Sequence, residues 1–145
     1  MSIAALASSA PDVLLYNHSP SIAVGLYLRV DGPIAPGTVV TVRASDVAPV
    51  EAHARGFDDR SDRFIKHVGA TAGEHVCGGG ESLSVDGVVV AHAYRGDGQQ
   101  RRTWVGCRRL NESEVLLLGD TVDSFDGRYW GPTSVALIEG VWRKL

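Results

Sequence analysis

The stretch from Asn17 to Tyr27 reads NHSPSIAVGLY and places two serines, Ser19 and Ser21, on either side of a proline. A serine hydroxyl attacks a carbonyl only when a neighbouring base takes its proton. Histidine is the usual base and lysine a known variant. The lysine must lose its proton near neutrality, well below its ordinary pKa of about 10.4. Burial does this, because a low dielectric disfavours the ammonium form. Of 14 basic residues only Lys66 and Lys144 are lysines, and arginine stays protonated in proteins. Lys144 lies next to the C-terminus and is expected in solvent. Lys66 sits in Phe64-Ile65-Lys66-His67-Val68, a short apolar run that ends at Gly69 and reads as a strand. In a strand Phe64, Lys66 and Val68 share one face, which favours burial of the amine. Ser21 as nucleophile and Lys66 as general base is the chemistry this pairing points to. Taken alone, each segment also has a plainer reading: Ser-Pro-Ser as a polar turn, and Lys66 as an edge-strand lysine facing water.

These residues need a scaffold. At 145 residues the length fits a single domain, 1–145, with about 1–15 as an N-terminal lead-in. The chain is 44% hydrophobic and 21% charged with a net charge of −3, a globular composition with no basic surplus for nucleic acid. Glycine-rich turns recur and helical periodicity is scarce, so the expected fold is mainly β with little helix. Strands are expected at LYLRV, at Thr38–Val42 after the Pro36-Gly37 turn, and around Lys66. The stretch from Val47 to Asp62 reads as a polar excursion, its first part a short helix, that delivers the chain to Lys66. GEHVCGGGESLSVDGVVVAHAY is expected to hold two strands, with turns at Gly78-Gly79-Gly80 and at Asp86-Gly87, the latter a hairpin signal. A polar loop over Tyr94–Arg102 leads to a strand, a turn and another strand through Leu118. The last segment opens as a loop and closes as a strand. The apolar patch Ile3 to Ala7 is too short to span a bilayer, and Pro11 argues against a helix entering the serine stretch.

Other chemistries fit less well. His18, His53, His67, His75 and His92 show no metal-binding spacing such as HExxH. His67 and His75 fall near Cys77, but no C-x-x-C pair supports a zinc site. A Ser-His pair through His67 is a rival to Lys66; as strand neighbours the two point to opposite faces, so only one can meet Ser21. The Gly78-Gly79-Gly80 run lacks the Gly-Lys-Ser/Thr of a phosphate loop. No cofactor and no metal is expected.

Four segments, in order, resemble the type I signal peptidase superfamily of Ser-Lys peptidases, and within it the TraF-type peptidases of conjugative transfer. They are NHSPSIAVGLY, RFIKHVGATAGEHVC, VGCRRL and LGDTVDSFDGRYWGP. The resemblance implies a coiled β-sheet catalytic domain of the signal-peptidase/LexA kind. It implies Ser21 as nucleophile, Lys66 as base, and an oxyanion hole from the Ser19 hydroxyl and the Ser21 N–H. Asp120, Ser124, Asp126 and Arg128 fall in its C-terminal box, where they support the lysine and the site. The family has proline two residues after the nucleophile; here the residue is Ala23. The resemblance further implies processing of a pilin or signal-peptide-bearing precursor in a conjugative or type IV secretion system, with cyclisation of the product allowed. The partners would be a peptide or protein substrate and a membrane surface. The setting would be the periplasmic face of a bacterial inner membrane. The family normally carries an N-terminal transmembrane segment; none is seen in this sequence, and an anchor removed or missing ahead of the lead-in is left open. A monomer is expected. In that oxidising setting Cys77 and Cys107 can pair as a disulfide, the alternative being two buried thiols. A general signal peptidase and a non-enzymatic assembly module of a secretion apparatus are the competing functions.

Overall fold

The computed structural model describes residues 12–57, 59, 61–98 and 101–145. The Ile3–Ala7 patch and Pro11 lie outside the described residues, as do Gln99 and Gln100 of the expected polar loop.

Eleven strands among the described residues form two antiparallel sheets. The larger contains β1 (Leu14–Asn17), β2 (Gly25–Arg29), β3 (Val39–Arg43), β4 (Arg63–Ala70), β9 (Glu114–Leu118), β10 (Thr133–Ser134) and β11 (Ile138–Lys144). Its order is β1-β2-β11-β3-β4-β9-β10. The smaller contains β5 (His75–Gly78), β6 (Ser82–Val85), β7 (Val88–His92) and β8 (Gly106–Arg109), ordered β7-β6-β5-β8. The mainly β expectation holds. β4 lies between β3 and β9 rather than at an edge, so the edge-strand reading of Lys66 fails.

Local sequence explains most elements. The β-branched run of β3 packs well on a pleated, buried surface, and Val40, Thr41 and Val42 are all buried. Asp86 and Gly87 join β6 to β7 with φ of +48° and +81°, the doubly positive turn that Asp-Gly favours. Two short helices, α1 (Ala44–Val47) and α2 (Pro49–Ala54), form the excursion and begin earlier than expected. Pro49 opens α2 at a position where its missing N–H costs no bond. The segment expected to hold two strands holds three, β5, β6 and β7, because Gly78–Gly80 and Asp86-Gly87 each reverse the chain. β1 was not expected. α3 (Gly127–Trp130) interrupts what reads as a loop, with the Asp126 carboxylate accepting from the Arg128 N–H as its N-cap.

Three clusters hold the fold. Val40, Val42, Phe64, Val68, Val115 and Leu117 pack one face of the larger sheet against α1 and α2 through Ala44, Ala48 and Ala52. Ala70, Leu116 and Leu118 of the larger sheet pack against Val76, Leu83, Val85 and Ala91 of the smaller, joining the two. Ile22, Tyr27, Ile65 and Trp142 fill the space beneath the serine stretch. Cys77 and Cys107 face each other across β5 and β8 and are joined as a disulfide.

Candidate active site

The serine stretch leaves β1 and turns back into β2. Asn17, buried at the end of β1, shapes the turn from within. Its side-chain amide donates to the carbonyls of Ser19 (2.9 Å), Ile22 (3.0 Å) and Ala23 (3.3 Å). Its side-chain oxygen accepts from the Ser19 N–H at 3.0 Å. Tyr27 adds a bond from its hydroxyl to the Ala23 carbonyl at 2.6 Å. The stiffness that a proline would lend position 23 comes here from two side chains. Asn17 had no role in the sequence reading. An asparagine two residues before Ser19, the arrangement of an Asx turn, was the signal that could have marked it.

β4 brings Lys66 to this turn. Lys66 is 5% exposed and Ser21 6%. The Lys66 Nζ donates to Ser21 Oγ at 3.1 Å and to Ser124 Oγ at 3.2 Å. Burial drives the Lys66 pKa down to about 8, and the Arg128 and Arg55 guanidinium groups push the same way; the carboxylates of Asp126 and Asp120 partly offset this. An amine so placed sheds its proton far more readily than one in water. Ser19 Oγ lies 2.9 Å from Ser21 Oγ, and the Ser21 N–H points at Ser19 Oγ over 3.4 Å. Ser21 Oγ therefore lies within hydrogen-bond reach of both the Lys66 amine and the Ser19 hydroxyl.

The 119–128 segment closes the site from the far side. Gly119 runs so close that a Cβ there would stand 2.0 Å from Ser124 Oγ and 3.1 Å from Ser21 Cβ. Only glycine fits that approach. Asp126 and Arg128, both buried, form a two-point pair with bonds of 2.8 Å. Asp126 also accepts from the Gly119 N–H at 2.7 Å, and Arg128 donates to the carbonyls of His92 (3.0 Å) and Val122 (3.3 Å). The pair ties the loop carrying Ser124 to α3 and to the end of β7.

Asp120 acts on Lys66 through its charge and not through a direct bond. Its carboxylate pairs with His67 Nε2 at 2.9 Å, and it is half exposed. It also meets the site through the backbone, where its N–H donates to the Ser21 carbonyl at 2.6 Å. His67 faces away from Ser21, as strand alternation requires, which removes the Ser-His rival. Two cavities open at the pair. One, of about 420 Å³, runs between Leu15, Tyr16 and His18 on one side and Phe57, Phe64 and Ile65 on the other. The second, of about 210 Å³, lies toward Arg55, Thr121, Asp123 and Phe125.

A mainly β protein with a buried Ser-Lys contact at a two-part groove is the architecture of a peptidase. The family model described as "Signal peptidase, peptidase S26" matches residues 2–144, and the chain belongs to that family. Its sequence is similar to that of the plasmid transfer protein TraF of Escherichia coli, at 31% identity over 140 residues, covering 88% of this chain and 79% of that one. The crystal structure of a signal peptidase I from Enterococcus faecalis V583 aligns with a TM-score of 0.44 at 19% identity, covering 77% of this chain and 97% of that one. Membership of the family rests on the first two comparisons.

Proposed function

We propose that the protein is a serine endopeptidase with Ser21 as nucleophile and Lys66 as general base. The observation that carries this reading is the 3.1 Å contact between Ser21 Oγ and Lys66 Nζ, both buried. Neutral Lys66 takes the Ser21 proton as Oγ forms its bond to the scissile carbonyl carbon. The oxyanion is met by the Ser19 hydroxyl and the Ser21 N–H, donors held in place before the reaction. The carbon–nitrogen bond breaks, and the leaving amine takes the proton from Lys66. A nucleophile then attacks the acyl carbon and gives its proton to Lys66; the bond from that carbon to Ser21 Oγ breaks, and Oγ takes the proton back from Lys66, restoring the pair. Water gives hydrolysis; an amine of the substrate gives a cyclic product. Ser124 holds the amine in line, and Asp126 and Arg128 hold the loop that carries Ser124.

The substrate enters extended. Among the described residues β1 is an edge strand, paired with β2 alone, so a peptide can add alongside it in the larger cavity. By likeness to the plasmid transfer protein TraF, the substrate is a pilin or other signal-peptide-bearing precursor of a conjugative transfer system. On the same ground the protein works at the periplasmic face of the inner membrane. The exposed side chains of Val13, Leu14, Tyr16 and Leu26, beside the larger cavity, favour contact with a lipid surface.

Peptidase assays on Ser21→Ala, Lys66→Ala and Lys66→Arg test the dyad. Each is expected to fall by about 10³-fold or more, with Lys66→Arg inactive because a guanidinium cannot accept the proton. The kcat/KM of the parent rises with pH through about 8, where Lys66 loses its charge. Full activity in any of the three variants, or a rate flat from pH 5 to 9, rejects the dyad. Mass spectrometry of the product separates hydrolysis from cyclisation.

A further inference from the structure

The two cavities at Ser21 share Phe57, Phe64 and Lys66, so a peptide crossing the nucleophile meets both. They differ in charge. In the larger, the Arg63 guanidinium is already paired with Glu139 at 3.3 Å and Asp12 at 3.2 Å. In the smaller, Arg55 has no carboxylate within 4.0 Å among the described residues. Asp123 shares that lining but stands outside ion-pair distance.

Arg55 is also held in place. Its backbone N–H ends α2 with bonds to the carbonyls of Glu51 (3.0 Å) and Ala52 (3.2 Å). Its guanidinium lies 4.4 Å from the centre of the Phe125 ring. Phe125 is fixed in turn by Phe64, Tyr129 and Trp130, with ring centres 5.4 to 5.9 Å away. A guanidinium on a ring face keeps its fork of N–H donors free at the edge, the arrangement that grips a carboxylate with two bonds. A fixed cation beside the dyad, with no carboxylate partner among the described residues, is therefore placed to take an anion from the substrate.

We propose that Arg55 is a specificity-determining residue that receives a carboxylate of the substrate close to the scissile bond, in the smaller cavity. The inference rests on Ser21 and Lys66 being the catalytic pair. The carboxylate comes from an aspartate or glutamate side chain or from the substrate's own C-terminus. Binding it has a second consequence. Lys66 is faced by Asp126 and Arg128 at α3, by Asp120 in the loop before it and by Arg55 at the end of α2. A carboxylate on Arg55 cancels one of the two cations that disfavour the ammonium, so Lys66 holds its proton to higher pH. The rising limb of kcat against pH then lies at higher pH for an acidic substrate than for its neutral counterpart.

The test uses a peptide library cleaved by the full protein and sorted into matched sets. Glutamate is exchanged for glutamine at each of three positions on either side of the cleaved bond, and the C-terminus is left free or amidated. The acidic member of one set is expected to have a kcat/KM roughly fivefold higher, as for a partly exposed two-bond ion pair. Arg55→Gln should bring that ratio to about one, and Arg55→Lys should recover part of it. A preference for glutamate assigns the carboxylate to a side chain; a preference for the free terminus assigns it to the chain end. The parent without preference, or a preference that persists in a folded Arg55→Gln protein, overturns the proposal. Fluorescence anisotropy of the same labelled peptides on Ser21→Ala reads binding without turnover, with the acidic peptide expected to bind more tightly and equal binding counting against Arg55. If the parent cleaves no peptide but Ser21→Ala still prefers the acidic one, the dyad reading fails and the Arg55 subsite stands.

Discussion

Lys66 is where stability and chemistry pull in opposite directions. Its folded pKa of about 8 lies below the value of about 10.4 in an unfolded chain. Between those limits the unfolded chain binds more protons, so stability rises as pH rises through that window. Below pH 8 the cost of burying the amine is fully present, about 3 kcal/mol. Lys66→Met removes it while leaving two serine hydroxyls with one partner fewer. That variant is expected to be the more stable by about 2 kcal/mol at pH 7, read from urea midpoints, with the gap closing toward pH 10.4 and the activity gone. A variant equal to or weaker than the parent at pH 7 means that the folded protein does not penalise the charge. The identity of this lysine was readable because lysine is so scarce in the chain and because a strand alternates its faces. The roles of Asn17 and Asp120 were not, since both act through backbone groups that a residue's type does not reveal.

Among the elements, the short helix α3 and the loop before it turn two buried charges into a fixed wall for the site. Asp126 is fully buried and Arg128 nearly so. Asp126→Ala strands the guanidinium without its partner and also removes the helix cap. The expected loss is about 3–5 kcal/mol in chemical denaturation, with kcat falling because Ser124 is no longer held against Lys66. Asp126→Ala combined with Arg128→Met should cost less than the two single losses added, since no charge is then left unpaired. Strict additivity would mean that the pair is not coupled. The motif SFDGRYWG announced a turn with charges in it. That it contains a helix of four residues, capped by its own aspartate, depended on burial of the pair, which no local pattern encodes. Both reversals among β5, β6 and β7 were visible, as a glycine run and an Asp-Gly turn, but two strands were expected where the two turns separate three.

Across the whole molecule, one group of exposed apolar side chains lies where the large sheet ends, and a second, Val88 to Val90, lies on β7 of the smaller sheet. Leu14 and Leu26 are each about half exposed, on β1 and β2; Tyr16 lies opposite Leu26 in the register. If this face meets lipid, the parent should sediment with phosphatidylethanolamine–phosphatidylglycerol vesicles, and Leu14→Ser combined with Leu26→Ser should weaken that binding roughly tenfold. Equal binding by parent and variant would remove the membrane from the account. The sequence alone determined the class of fold and singled out Ser21 and Lys66 as the candidate pair, because alternation, turn residues and the rarity of lysine are properties of neighbours along the chain. It also showed that Lys66 and His67 take opposite faces, but left open which of them meets Ser21. Only the tertiary structure decided that Lys66 is buried in a central strand, that Arg55 lines the cavity beside it with no carboxylate partner among the described residues, and that Asp120 turns its carboxylate to His67. Those are facts about which distant segments pack together, and burial, pairing and pKa follow from that packing.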